Sequence, residues 1–216
     1  MEPSEADGQD AFLRELEAQP HYAVIARDYA GKIARRSGVP YIKHIRDGAQ
    51  ILYRLFEYGP ADDVVAAYCV HPLFQSDRSL TRLLSPEGAA DLAALPERVL
   101  VLAMEYRRIA NSYTIKDTVR APEAIEIGPI EEVRRMLIAD KIQNRMDFAT
   151  YMVGAHDRTS YNRATERSLA YFDSWLARLG ISMEQYAAVT AQVQASSDGG
   201  SDSAANRVSS VASGCG

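Results

Sequence analysis

The chain has 216 residues, of which 47% are hydrophobic and 25% are charged, and its formal net charge is -5. This length suits one domain with a buried core, and the negative charge argues against direct nucleic-acid binding because it offers a polyanion no general attraction. Two cysteines are too few for a disulfide framework, and neither a signal peptide nor an apolar span of ~20 residues is evident, so we expect a cytoplasmic protein with no membrane contact.

Both ends of the chain are poor in large apolar residues. Residues 1–10 are acidic and polar, and residues 196–216 mix Ser, Gly, Asp and Ala, so we expect disordered tails around a domain at 11–195. Between these tails, apolar residues recur at helical spacing, and most Pro and Gly residues fall between the periodic segments. The pattern predicts an all-α fold, a bundle of about seven helices.

Caps, prolines and apolar spacing set the bounds of the predicted helices. The six longer ones are at 20–36, 41–58, 62–73, 96–112, 129–151 and 162–179. Ser182 and Gln185 form a capping-box pattern for a last, short helix. The third helix is apolar almost throughout, which indicates a central position. Residues 113–128 form a long segment without a predicted element, and loops of that length are often functional.

Three residues with metal-binding side chains adjoin these apolar segments. His44 is near the start of the second predicted helix, His71 near the end of the third, and Asp140 in the middle of the fifth. Two imidazoles and one carboxylate from different helices could hold a divalent transition metal (Mn, Fe or Zn) and leave coordination positions open. Spacing alone favours the alternative that they only make hydrogen bonds in the core, because no compact metal-binding motif is present.

Three segments carry motif-like sequence in a fixed order. They read RRSGVPYIKH at 35–44, AAYCVHPLFQSD at 66–77 and LIADKIQNR at 137–145. These segments resemble the R-x-S-G-x-P-Y-I-x-H, A-A-L-L-H-D-x-x-E-D and L-A-D-R-x-x-N motifs of the HD-domain superfamily, in particular the hydrolase domain of RelA/SpoT-like alarmone (ppGpp) enzymes. The resemblance covers roughly residues 20 to 155.

The resemblance implies an HD-like helical bundle with a metal held by His44, His71 and Asp140. It also implies substrate contacts from Asn144 and from one of the two arginines, Arg35 or Arg36. Further aromatic and basic residues could line the same pocket through stacking and phosphate contacts: Tyr41, Tyr53, Tyr106, Tyr113, Arg107, Arg108 and Lys116. The alternative, that most of these tyrosines only pack and the arginines form a solvated face, stays open.

The chain departs from the family where the chemistry is expected. Pro72 replaces the Asp of the His-Asp doublet, and Gln75 and Ser76 replace the Glu-Asp pair that is credited with activating water. Asp77 lies one position late. It could serve as the catalytic carboxylate, or it could cap a short helix that begins near Ser79, and the sequence does not separate these alternatives.

We therefore expect a metal-dependent HD-fold enzyme of altered specificity that acts, like a phosphohydrolase, on a phosphorylated nucleotide or small phosphorylated metabolite. One alternative is an inactive HD-like domain that binds a nucleotide or a partner protein. A second is an HD-fold iron oxygenase with a site of two His and one carboxylate. Self-association into a homo-oligomer stays open. His21 and His156 lie outside the matched motifs, and we expect both to be surface residues or helix-capping residues.

Overall fold

The computed structural model describes residues 5–34, 37–152 and 158–209. Within these ranges the chain forms eleven α-helices and one 3₁₀ turn and has no strand, with a single backbone bridge between Ile33 and Pro40. The predicted all-α fold is confirmed. The helix count exceeds seven because four further helices form outside the predicted ones, at 5–17, 77–83, 89–93 and 115–120.

The helices follow one another with short connections. They are α1 (Glu5–Glu17), α2 (Pro20–Tyr29), α3 (Tyr41–Phe56), α4 (Asp63–Gln75), α5 (Asp77–Leu83), α6 (Ala89–Ala93), α7 (Glu97–Ala110), α8 (Ile115–Arg120), α9 (Glu131–Met152), α10 (Arg158–Leu179) and α11 (Met183–Ser209), with the 3₁₀ turn at Pro122–Ala124. Over the part of the chain that the structure describes, none of them is long and apolar enough to cross a membrane.

Helix α4 is the centre of the bundle, as its nearly continuous apolar sequence predicts. Every residue from Val64 to His71 is buried, and α2, α3, α5, α7 and α9 all pack against it. A helix that is apolar all round is stable in water only when other helices cover it on every side. Because α3 and α9 also pack against each other, these two helices and α4 enclose one point in the core.

Helix α2 ends earlier than predicted. It stops at Tyr29, and Gly31 then takes a positive φ of 68°, where the sequence predicted helix as far as residue 36. The chain turns back on itself, with Ala34 N–H bonded to the Val39 carbonyl at 2.8 Å. This turn directs the chain into α3 and fixes where α3 begins.

The two terminal helices extend into the segments expected to be tails. Helix α1 begins at Glu5, and Gln9 is only 1% exposed, so packing begins before residue 11. The predicted capping box is confirmed, since the backbone N–H groups of Ser182 and Gln185 each donate to the other residue's side chain. The helix that it caps is long rather than short, because α11 continues to Ser209.

Candidate metal centre

Three potential ligands converge where α3, α4 and α9 meet. His44 Nε2 lies 3.6 Å and His71 Nε2 lies 3.8 Å from the same atom, Asp140 Oδ1. One ligand atom from each residue lies within 4.8 Å of the others. Ligand atoms lie ~2.0–2.2 Å from a transition metal, so neighbouring ligands are roughly 3–4 Å apart. The predicted convergence is confirmed, and the group could hold a metal ion.

His71 is held in the tautomer that leaves Nε2 available to a metal. Its side chain is 1% exposed, and Nδ1–H donates to the Tyr68 carbonyl at 2.6 Å. Burial lowers the pKa of His71 to about 4, so the ring is neutral near pH 7. A neutral imidazole with its proton on Nδ1 has its lone pair on Nε2, the atom that faces Asp140.

Pro72 contributes to this orientation. Residue 72 lies inside α4, where its backbone N–H would ordinarily bond to the carbonyl of residue 68. Proline has no N–H, so the Tyr68 carbonyl lacks its usual helical partner and accepts the proton of His71 instead. The proline inside α4 therefore helps to fix the orientation of His71, one of the three potential ligands.

His44 has the equivalent arrangement on the other side of the site. Its Nδ1 makes a hydrogen bond to Oε1 of Gln143, which is fully buried on α9. An amide oxygen can only accept, so Nδ1 carries the proton and Nε2 is available to a metal. Both histidines thus present Nε2 to Asp140.

Asp140 is held as a buried carboxylate by two neighbours on α9. Lys141 Nζ lies 3.0 Å from Oδ2, and Asn144 Nδ2 donates to Oδ1 at 2.8 Å. Burial alone would raise the pKa of Asp140, but the ammonium group of the neighbouring Lys141 holds it well below its usual range. The carboxylate is therefore ionised, as a hard oxygen ligand must be.

A pocket of about 290 Å³ opens onto this centre. Besides the three potential ligands, its lining includes Tyr29, Tyr41, Gln75, Asn144 and Asp147. The rings of Tyr29 and Tyr41 make an edge-to-face contact, with their centroids 5.4 Å apart. Two of the predicted substrate-binding residues, Tyr41 and Asn144, thus lie where a ligand could touch them.

The other predicted substrate and catalytic residues lie elsewhere. Asp77 is 93% exposed, pairs with Arg107 and does not line the pocket, and Ser76 rather than Asp77 caps α5. Arg107 also donates to the Phe74 carbonyl at 2.5 Å, so it caps the C-terminal end of α4. Lys116 is exposed on α8 and is likewise outside the pocket lining. The predictions for Arg35 and Arg36 fall outside the described residues.

The remaining tyrosines mostly pack, as the alternative interpretation held. Tyr53 stacks on Phe12 at 4.8 Å between ring centroids, and Tyr113 lies against Trp175 at 5.7 Å. Tyr106 is fully buried and its ring lies 4.7 Å from that of His71, so it packs against this potential ligand inside the core. The basic residue Arg108 pairs with Glu105 at 2.7 Å rather than facing the pocket.

The expectation for His21 is wrong. This residue is the second of α2 and only 8% exposed, so its side chain packs in the core and neither lies at the surface nor caps the helix. Its imidazole ring is accommodated in the core because it makes a hydrogen bond to the backbone of Pro60. His156 lies outside the described residues.

Sequence reasoning missed several residues of the centre, namely Tyr29, Lys141, Gln143 and Asp147. The signal for Asp147 is helical register, since residues seven apart share one face of a helix. Lys141 adjoins Asp140 in the sequence, but no pattern indicates that its ammonium turns inward, where it lies 5.1 Å from the Trp175 ring.

Comparison of the chain with family models, with curated proteins and with solved structures finds no match. The motifs and the geometry of the pocket are therefore the features that indicate a function.

Proposed function

We propose that this protein is a metal-dependent enzyme of the HD type with altered specificity, which acts on a phosphorylated nucleotide or a small phosphorylated metabolite. The observation that carries the proposal is the convergence of His44, His71 and Asp140 at the floor of a pocket. The resemblance of the three motifs to alarmone hydrolases supports the same conclusion, because it assigns the metal to the same three residues.

The donor set fits a first-row divalent metal such as Mn, Fe or Zn. Two neutral imidazoles and one carboxylate leave coordination positions open on the pocket side. When bound there, such a metal supplies a Lewis acid that polarises a phosphoryl group and lowers the pKa of water. Within the protein, Asn144 orients Asp140 through a hydrogen bond. The aromatic rings of Tyr29 and Tyr41 could pack against the organic part of a substrate.

The water-activating carboxylates of the family have no counterpart at their usual positions. Pro72 and Gln75 line the pocket in place of acids, and Asp77 points to Arg107 on the outside. Hydrolysis of the family's own alarmone by its usual route is therefore not what we propose. The same observation favours one competing function, a binding domain that keeps the pocket and lacks turnover.

A phosphate-release assay on the full chain, loaded in turn with Mn²⁺, Fe²⁺ or Zn²⁺, tests the proposal. The substrates are a panel of nucleotides, sugar phosphates and alkyl phosphates, and each is also tested for binding by calorimetry. Asp140→Asn removes a potential ligand, and Glu131→Gln, at the exposed start of the same helix, is the matched control.

Metal-dependent release that Asp140→Asn abolishes and Glu131→Gln retains supports the enzyme. Metal-dependent binding without release from any substrate overturns the enzyme in favour of the binding domain. Absence of both binding and release contradicts a phosphoryl site of either kind.

A further inference from the structure

Asp147 lines the pocket, yet the proposed chemistry gives it no role. It follows Asp140 by seven positions and Asn144 by three on α9, and all three residues line the pocket. Residues at this spacing share one helix face, and a rise of ~1.5 Å per residue places Asp147 roughly 10 Å from Asp140 along the axis. The pocket therefore has two ends, with the potential metal ligands at one and Asp147 at the other.

One carboxylate oxygen of Asp147 is left without a partner. Its Oδ1 is enclosed by protein and accepts no hydrogen bond from any residue that the structure describes. An enclosed carboxylate oxygen requires a donor, because its water has been removed and nothing has replaced it. A bound ligand that carries a donor group would satisfy it.

The nearest charged pair does not provide this donor. Asp147 is close enough to Asp47 to add to the rise in the pKa of Asp47, which burial chiefly causes. Lys43, four residues before Asp47 on α3, pairs with Asp47 and not with Asp147. Behind the pocket lining, Asp147 thus has a second carboxylate as a neighbour, and the one ammonium nearby pairs with that second carboxylate.

The lining of the pocket shows the same excess of carboxylates over cationic groups. Two of the described lining residues are aspartates and none is a lysine or an arginine. A carboxylate at one end repels a second phosphate group there and attracts an ammonium or hydroxyl group. The other end suits a phosphoryl group when a metal is bound. The pocket is therefore complementary to a molecule with an anionic end and a donor end.

We propose that Asp147 determines specificity by accepting a hydrogen bond from an ammonium or hydroxyl group of the substrate, about two helical turns from the phosphoryl group. This inference rests on the proposed phosphoryl-binding function and narrows it to phosphomonoesters with a single phosphate and a donor at the far end. An ammonium group is the stronger partner because its hydrogen bond to a carboxylate is charge-assisted.

Calorimetry on the Mn²⁺-loaded full chain tests the assignment with three probes: inorganic phosphate, hexyl phosphate and aminohexyl phosphate. We expect the aminohexyl ester to bind about tenfold more tightly than the hexyl ester, as one charge-assisted hydrogen bond predicts. Asp147→Asn should remove this preference and leave the affinity for inorganic phosphate and the metal content unchanged. Glu131→Gln, on the same helix and away from the pocket, should retain the preference.

Equal binding of the two esters to the wild-type chain overturns the inference, and so does a preference that Asp147→Asn keeps. In both cases, metal-dependent binding of inorganic phosphate would still support the proposed function. Failure of inorganic phosphate to bind the loaded wild-type chain contradicts the proposed function itself, and with it the role of Asp147. The comparison of the two esters on the wild-type chain can overturn the inference even if the variant does not fold.

Discussion

Gly48 lies on α3 where the helix is in close contact with Tyr68 of α4. A methyl group added at this position would overlap the ring and hydroxyl of Tyr68, which is fully buried on α4. The tyrosine cannot move outward, because its ring lies between those of His44 and His71, with centroids 5.9 Å and 5.0 Å away. The glycine therefore permits the contact that brings the two histidines together.

Gly48→Ala should lower the free energy of unfolding by about 1–3 kcal/mol, the usual cost of overpacking a core. Urea unfolding followed by circular dichroism measures the change. Gly8→Ala is the matched control, since its nearest neighbour would be Tyr53 Oη at an ordinary 3.9 Å and alanine favours a helix. An unchanged stability of Gly48→Ala would show that α3 and α4 do not approach as described.

His21 makes stability depend on pH. Burial lowers its pKa to about 4, whereas an unfolded histidine titrates near 6.5. Between these values the unfolded chain binds more protons than the folded one, so stability falls as the pH drops from about 6.5 to about 4. We expect His21→Asn to reduce the loss between pH 7 and pH 5 by about 1 kcal/mol, after allowance for solvent screening.

Urea unfolding at both pH values measures this loss in the wild-type chain and in the variant. An equal loss in the two chains would mean that His21 titrates normally and is not buried as described.

The potential ligands could be predicted from the sequence, but the residues around them could not. His44, His71 and Asp140 stand in recognisable motifs, whereas the partners of each depend on side-chain direction. Gln143 meets His44 from another helix 99 positions away, and no local pattern records such a contact.

Helix α4 is the most buried element, yet it contains an interior proline, which usually destabilises a helix. Pro72 removes one backbone hydrogen bond, and the freed Tyr68 carbonyl binds the side chain of His71. In an uninterrupted helix this carbonyl would accept a backbone hydrogen bond, and here it orients the potential ligand His71 instead.

Pro72→Ala should weaken metal binding about tenfold, a usual effect of losing a ligand's orienting partner. The restored N–H would compete with His71 for the Tyr68 carbonyl. Titration calorimetry with Zn²⁺ measures the affinity, and nitrogen NMR of the imidazole reports its tautomer. Pro20→Ala, at the first turn of α2, is a control in which no interior helical bond changes. Equal affinity of Pro72→Ala and wild type would refute the orienting role.

Sequence patterns predicted the long helices better than the connections between them. The bounds of α3 and α7 agree with prediction to within two residues, because apolar periodicity and a flanking proline define them. The early end of α2 depends on the positive φ of Gly31 and on the pairing of Ile33 with Pro40. The second of these is a tertiary contact that helical propensity cannot reveal.

For the whole molecule, the site depends on the packing of three helices that are far apart in the sequence. The first two potential ligands are separated by 27 positions and the last two by 69, as their numbers show. Their convergence follows only once α4 is placed in the centre with α3 and α9 against it. The site therefore depends on the fold, whereas a variant of one potential ligand should remove the metal and leave the helices intact.

The most direct test is the metal content of the untagged full chain, by elemental mass spectrometry, after loading with Mn²⁺, Fe²⁺ or Zn²⁺ and gel filtration. We predict near-stoichiometric metal in the wild-type chain and in Glu131→Gln. His71→Ala should lose the metal while its helical circular dichroism stays unchanged. A wild-type chain that retains no metal, or a His71→Ala chain that retains as much as the wild type, would contradict the metal centre.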